Sequence, residues 1–506
     1  MKNIVITVYV LITFVFGTEI QSTYPPTLKI NEATTHKIAK AYRIAIGDIT
    51  GNIQNHKSGV LATEQPCILA GLVYDKPWTR DAAINVWNGG GLLFPDAAKN
   101  TLLAQVGKDE EGNEIIIGQY WDKIIWSIGT WQYYLYNHDV KFLKYSYPIV
   151  KHTMSILEKD EFDIKLNLFR GPAVYGDGVA AYPKIYTESE IDSHSGSWSG
   201  IYVWPNENPS KKVKTGFGMP MMALSTNCVY AETYNILSLM EKELNLNKDN
   251  LWQKKYNQMK YAINRNFWND KNQRYDYFVD PFGGCDYQEG LGHAFALLFE
   301  ISEPKQIKSI MENIVVEPVG IPSVYPAFPR HKKTSDSFGR HAGTVWPHVQ
   351  GFWADACLTN NNTDGFLHEF NKLTEHANRD FQFVEIYHPK TGLPYGGLQE
   401  PHLAEQTEWF CAERQTWSAT AYLRMILFNI IGMEFSPAGI TFNPYLPKEI
   451  ESLEFGDFNY CGTTINIKIT GTGSRLSSIK INGKESDDII VSKNSGEVFI
   501  EIKMKE

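Results

Sequence analysis

"ERQTWSATAYLRMILFNIIG" (413–432) brings apolar side chains back every three or four positions, the spacing of a helix with a buried face. Directly after it the texture changes. "GITFNPYLP", "TTINIKITG", "SSIKING" and "EVFIEIKM" alternate apolar and polar residues between turn formers, which is the pattern of strands and hairpins. A boundary near residue 434 therefore divides a helical body over 23–434 from a small β domain over 435–506. Upstream, "QYWDKIIWSIGTWQYYLYNH" (119–138) and "ALSTNCVYAETYNILSLMEKEL" (223–244) repeat the helical spacing. So do stretches near 33–47, 80–105, 140–158, 250–267, 290–301, 304–315, 343–358 and 362–379. About eleven helices joined by loops of uneven length suggest a mainly α toroid of helical hairpins. A helical solenoid would show a fixed repeat of roughly 30–45 residues, and none appears.

The 506 residues suffice for one large domain and one small one with most of their apolar surface buried. A formal charge of −9 argues against nucleic acid or an anionic membrane as the main partner. Thirteen Trp, 27 Tyr and 26 Phe supply core, and also the flat faces on which sugars stack. Residues 1–22 carry Lys2, an apolar run from Ile4 to Phe16, then small and polar residues. That run is short for a spanning helix and reads as a secretory signal, so the mature chain is expected to be exported without stable membrane insertion. The six cysteines lie far apart with no CxxC pair, which points to scattered thiols rather than a disulfide framework or a metal cage.

Two long helix-poor stretches, 165–222 and 380–412, are rich in Gly, Pro, aromatic residues and carboxylates, and loops of that length inside a compact domain are usually functional. "FRGPAVYGDGVAAYP" (169–183) sets Asp177 between two glycines and between Tyr175 and Tyr182, with Arg170 nearby. Glu188, Glu190 and Asp192 in the same loop are competing acids. "YDKPWTRDAAINVW" (74–87) places Arg80 and Asp81 at a helix start beside Trp78 and Asp75, where Asp81 also suits the helix dipole. "GRHAGTVWPHVQGFW" (339–353) offers His341, Trp346, His348 and Gln350, for which packing at a helix start is the plain reading. "GGLQEPHLAEQTEWFCAERQTW" (396–417) adds Gln399, Glu400 and Glu413. "VEIYHPKTG" (384–392) puts Glu385 in a loop signalled by Pro389 and Gly392, where a solvated carboxylate is the plain reading. No GxSxG, Walker loop or dinucleotide fingerprint is present. Carboxylates in aromatic loops suit glycoside hydrolysis, which needs one protonated acid, one ionised carboxylate and no metal or cofactor.

Over most of 70–432 the motifs resemble, in order, the (α/α)6-barrel inverting glycoside hydrolases. These include trehalases, processing α-glucosidase, mannosylglycerate hydrolase and the amylo-α-1,6-glucosidase domain of debranching enzymes. "WTRDAAI" resembles the segment that holds the released sugar, "HAGTVWPH" the Gly-x-x-Trp-Pro segment and "QTWSATAYLR" the last barrel helix. "VEIYHPKTG" resembles the segment whose glutamate activates water. The resemblance implies Glu385 as general base, Asp177 as general acid, and Trp78, Arg80, Asp81, Tyr175, Trp346 and Gln399 around an oligosaccharide or glycoside. The chain departs from the pattern at two places. "YGDG" then "STN" (225–227) stand for Gly-Trp-Asp then Asp-Leu-Asn, and Ala342 stands where many relatives carry an arginine. An α-glucoside is the first substrate class implied, an α-mannoside the second. A phosphorylase or an α-L-rhamnosidase on the same fold, or an inactive glycan-binding barrel, are the alternatives. Aromatic, partly desolvated surroundings are expected to keep Asp177 protonated.

Overall fold

The computed structural model describes residues 25–32, 36–119, 121–186, 219–246, 249–400, 406–486 and 490–505. The segment 1–22 and the acids Glu188, Glu190 and Asp192 lie outside the described residues.

The helical body is built from α1 (Lys37–Gly51), α2 (Thr79–Asn85), α3 (Pro95–Leu103), α4 (Trp126–Asn137), α5 (Val140–Glu161) and α6 (Leu224–Glu243). It continues with α7 (Leu251–Phe267), α8 (Gly290–Leu298), α9 (Pro304–Asn313), α10 (Pro347–Thr359), α11 (Thr363–Asp380) and α12 (Thr416–Arg424). The even-numbered helices pack in a cycle: α2 on α4, α4 on α6, α6 on α8, α8 on α10, α10 on α12, and α12 back on α2. Odd-numbered helices back them, α5 against α4 and α6, α7 against α6, α11 against α10, and α1 against α12. Burial follows from the sequence. In α8 and α10 every residue from Gly290 to Leu297 and from Pro347 to Cys357 is buried, as expected of a helix enclosed on all sides. In α11 only Phe366, Glu369, Phe370, Leu373, Thr374, His376 and Ala377 are buried, one face of an amphipathic helix.

The spacing over 80–105 predicts one helix, and the chain breaks it. A π-turn spans Val86–Gly90, where Gly89 adopts φ 109°, a conformation that strains any residue with a Cβ. Pro95 then starts α3 in the position where a missing N–H costs nothing. Similarly, the helix read over 119–138 begins in earnest at Trp126, after a 3-10 turn at Lys123–Ile125.

The C-terminal sheet has six strands in the order Thr27–Glu32, Ile450–Tyr460, Thr463–Thr470, Gly496–Lys505, Arg475–Ile481, Lys484–Glu485. Neighbours are antiparallel except Thr463–Thr470 with Gly496–Lys505. Alternation is clean: Ile465, Ile467 and Ile469, and Val498, Ile500, Ile502 and Met504, turn inward. Thr27–Glu32 lies in the stretch that the sequence groups with the helical body, but it pairs with Ile450–Tyr460 at the sheet edge. Its six residues are too few for periodicity to reveal a partner more than 400 positions away. All six cysteines are free. Among the described residues, no helix is long and apolar enough to cross a membrane.

Candidate active site

The starts of α2, α10 and α12 line one cavity of about 210 Å³. Asp177, Glu385, Trp78, Arg80, Asp81, Tyr175, Trp346 and Gln399 all line it. Arg80 and Asp81 are the second and third residues of α2, and Trp346 is the N-cap of α10. The remaining wall comes from the two helix-poor stretches, from Arg340 and His341 ahead of α10, and from Tyr74, Gln119, Gln415 and Trp417.

The first of these is fastened from below. Ser225 Oγ, at the start of α6, accepts from Val174 N at 3.1 Å. Asn227 holds Phe169 by both N–H and C=O, at 2.8 and 3.0 Å. The "STN" triplet thus anchors the loop that delivers Tyr175 and Asp177. The glycines of "GDG" serve close approach. A Cβ on Gly178 would sit 2.1 Å from Gln399 Oε1 and 2.4 Å from His341 Nδ1, and one on Gly176 would sit 2.3 Å from the Tyr182 hydroxyl. Arg170, expected near Asp177, is fully buried elsewhere between Glu161 and Asp163, and Asp75 is exposed and does not line the cavity.

The Asp177 carboxylate is 3.3 Å from Arg80 Nη2 and 3.4 Å from His341 Nε2, with its side chain 34% exposed. Burial pushes its pKa up, but Arg80 and His341 together outweigh burial and hold the carboxyl below the usual range. This corrects the expectation of a protonated Asp177: its neighbours are cationic and polar as well as aromatic. Asp81 shows the opposite balance. It is 4% exposed, and burial, reinforced by the charges of Glu385 and Asp177 against that of Arg80, pushes it up to about 8. Gln415 Nε2 reaches Asp81 Oδ1 at 3.5 Å.

Glu385 is 3% exposed, so the plain reading of a solvated loop acid fails. Arg340 Nη2 donates to its Oε2 at 2.7 Å, Ala412 N to the same oxygen at 3.2 Å, and the Tyr74 hydroxyl to Oε1 at 3.3 Å. Arg340 also binds the carbonyls of Gly396 and Phe410 at 2.9 and 3.0 Å and lies over the Trp346 and Trp409 rings. Ala342 carries no such group, and the guanidinium at Glu385 belongs to Arg340, two residues upstream. His341 stacks on Trp346 with centroids 5.0 Å apart, and His348 on Trp417 at 4.2 Å.

Residues 52–422 match the family model described as amylo-alpha-1,6-glucosidase. The chain belongs to that family. The C-terminal part of this amylo-alpha-1,6-glucosidase family member, 433–497, matches the model of the glycosyl hydrolase family 65 C-terminal domain. No curated protein matches the chain in sequence. Among solved structures it is similar to a sialidase at 14% identity and TM-score 0.64, over 93% of this chain and 42% of that one. It is also similar to the family 78 rhamnosidase of Bacillus sp. GL1 at 11% identity and TM-score 0.58, over 95% and 44%. The family 63 mannosylglycerate hydrolase of Thermus thermophilus, solved with glucose, matches at 13% identity and TM-score 0.58, over 76% and 100%. The chain spans less than half the length of the first two structures. These matches together indicate the six-hairpin glycosidase superfamily.

Sequence reasoning about this family member did not assign Tyr74, Gln119, Arg340, His341, Trp409, Phe410, Gln415 or Trp417 to the site, and all of them line the cavity. Arg340 and His341 sit inside a quoted segment, and their adjacency to Trp346 was the available signal. Gln350 is outside the cavity and bonds Glu369 instead. Glu413 is exposed just before α12, and Glu400 binds Arg330.

Proposed function

We propose that the protein is an exo-acting, inverting α-glycosidase, acting on α-glucosides before α-mannosides. The observation that carries the reading is one small cavity lined by three carboxyl groups, two of which, Asp177 and Glu385, are each gripped by their own arginine. A cavity of about 210 Å³ is below the usual range for ligand pockets and suits a single terminal sugar ring. Trp78, Tyr175 and Trp346 offer it aromatic faces, while Arg80, Asp81 and Gln399 offer hydrogen bonds.

In the proposed reaction Glu385 takes a proton from water as the oxygen attacks the anomeric carbon. The bond to the glycosidic oxygen breaks, and Asp177 gives that oxygen its proton. Arg340 and Tyr74 aim the Glu385 carboxylate and leave it no freedom to turn toward solvent. Asp177 must first gain a proton. Substrate groups that replace the Arg80 or His341 contact would remove what holds it ionised. A second assignment has one observation behind it: Asp81, buried in the cavity wall, is the carboxyl whose pKa burial pushes up to about 8, which keeps it neutral below that pH. The (α/α)6 toroid belongs to the same proposal and is supported by the closed packing cycle of the even-numbered helices. So does export, for which the apolar run in 1–22 is the support.

The test is a panel of aryl α-glycosides with the product anomer followed by NMR. The expected result is hydrolysis of an α-glucoside, independent of phosphate, with the β-anomer formed first. First formation of the α-anomer would overturn inversion. Dependence on phosphate would make the chain a phosphorylase, and binding without turnover an inactive barrel.

A further inference from the structure

The catalytic cavity, at about 210 Å³, has room for one sugar ring, so whatever that ring is attached to must project through the mouth. Burial separates floor from mouth. Asp81, Trp346, Glu385 and Gln399 are each 4% exposed or less and belong to the floor. The lining residues that still reach solvent are Tyr74, Trp78, Gln119, Asp177, Trp409 and Phe410. Asp177 therefore stands at the mouth, where a glycosidic oxygen would lie, and the leaving group continues outward from it.

Phe410 is 58% exposed, the most open of these six residues. Its main chain is nonetheless fixed. Arg340 Nη1 donates to the Phe410 carbonyl at 3.0 Å, and Trp409 N donates to the Gly397 carbonyl at 3.0 Å. Two residues on, Ala412 N donates to Glu385 Oε2 at 3.2 Å. The segment that carries the ring is thus tied to the proposed base and to the arginine that holds it. Trp78 and Trp409 each already have a cation over the ring, Lys76 at 4.7 Å and Arg340 at 5.6 Å from the centroid. Among the described residues, neither a ring nor a cation stacks on Phe410. A lone exposed apolar ring is ordinary on a protein surface, but this one lines the opening through which the leaving group must pass.

We propose that Phe410 selects the leaving group. Its ring stacks on a second ring, sugar or aryl, joined through the glycosidic oxygen, and so favours ring-bearing glycosides over those of small open-chain alcohols. The inference rests on the exo-glycosidase reading and adds to it the class of group that is released.

The test uses methyl and benzyl α-glucosides, whose alcohols are of similar basicity, together with α-linked glucose disaccharides and the matching α-mannosides. Each is measured by kcat/KM and by calorimetric affinity in wild type, Phe410→Ala, Phe410→Tyr and Phe282→Ala. Phe282 is a comparably exposed phenylalanine, at 52%, that does not line the cavity. The expected wild-type preference for a ring over methyl is about three- to tenfold, the range of one aromatic stack. It should shrink to within about twofold in Phe410→Ala, return in Phe410→Tyr and persist in Phe282→Ala. Ratios between substrates decide, because a disturbed Glu385 would slow all of them alike and leave the ratio unmoved. A preference for benzyl alone assigns an aryl leaving group, and one for the disaccharides alone a sugar. No ring preference in wild type, a preference that survives Phe410→Ala, or no binding of any of these glycosides overturns the proposal. Ring-selective binding without hydrolysis would strike the catalytic reading and leave the Phe410 contact standing.

Discussion

Glu385 and Asp177 are both acids in turn-rich loops, and their surroundings differ in a way that local sequence does not encode. Pro389 and Gly392 mark the loop correctly, but the buried Glu385 is held by Arg340, 45 positions away. No periodicity reports such a pairing, whereas the adjacent Arg80 and Asp81, or Asp177 between its glycines, can be picked out by eye. Arg340→Lys keeps the charge and loses the planar fork that spans Glu385, Gly396 and Phe410. We expect kcat/KM to fall about tenfold or more, on the scale of about 1.4 kcal/mol per decade, with the protein still folded by circular dichroism. Unchanged kinetics would mean that Glu385 needs no positioning. The acid is tested by leaving group. A general acid matters most when the departing oxygen is basic, so Asp177→Asn should lose on the order of 10²–10⁴ on an alkyl glucoside. It should lose far less on a dinitrophenyl glucoside, whose leaving group needs no proton. An equal loss on both substrates, with the unequal pattern appearing in Asp81→Asn, would transfer the role to Asp81.

At the scale of elements, the helix starts do the positioning, and carboxyl groups tie one start to the next. Glu289, N-cap of α8, accepts from Ser225 N of α6 at 3.0 Å while fully buried. Burial, against the Ser225 bonds, pushes its pKa up to about 8. The sign follows from proton counting: the folded chain keeps a proton that the unfolded chain releases once pH exceeds the ordinary glutamate range. This contribution is whole below that range and is lost as pH rises toward ~8, at no more than about 1.4 kcal/mol per pH unit. Asp81 and Asp122, pushed up to about 8 and about 7 chiefly by burial, act in the same direction. Glu289→Gln cannot ionise, so its melting temperature should fall less steeply than wild type between pH ~5 and ~8. Parallel curves would show that Glu289 is ionised or solvated in the native state. Helix existence was legible from spacing, as α6, α7 and α11 illustrate. The break after α2 was not, because Val86, Trp87, Leu92 and Leu93 continue an apolar pattern across a turn set by the backbone of Gly89.

Across the whole molecule, the C-terminal domain, through its six-stranded sheet and the hairpin Met433–Ser436/Gly439–Phe442, shares a core with the helical body rather than merely touching it. Phe435 packs on Tyr136 at 4.7 Å and on Phe428 at 6.1 Å, Phe455 packs on Tyr42 at 6.5 Å, and the Tyr460 hydroxyl meets His138 Nε2 at 2.8 Å. The sheet's edge strand, Thr27–Glu32, precedes α1, so the chain enters the sheet, leaves to build the helical body, and returns. Removing 435–506 would therefore uncover apolar surface on α1, α4 and the end of α12, and strand Thr27–Glu32 of its partner. We expect such a truncation to be insoluble or aggregated. That outcome alone would not separate packing from chemistry, so a milder variant completes the test. Phe435→Ala removes a half-buried ring and should destabilise by roughly 1–3 kcal/mol, below the cost of a fully buried one. Its kcat/KM should stay within about twofold of wild type, because the catalytic cavity lies on the order of 20 Å away along α10. A Phe435→Ala protein that melts normally would contradict the shared core. One that melts lower and also loses turnover would mean that the C-terminal domain steadies the cavity as well as the fold.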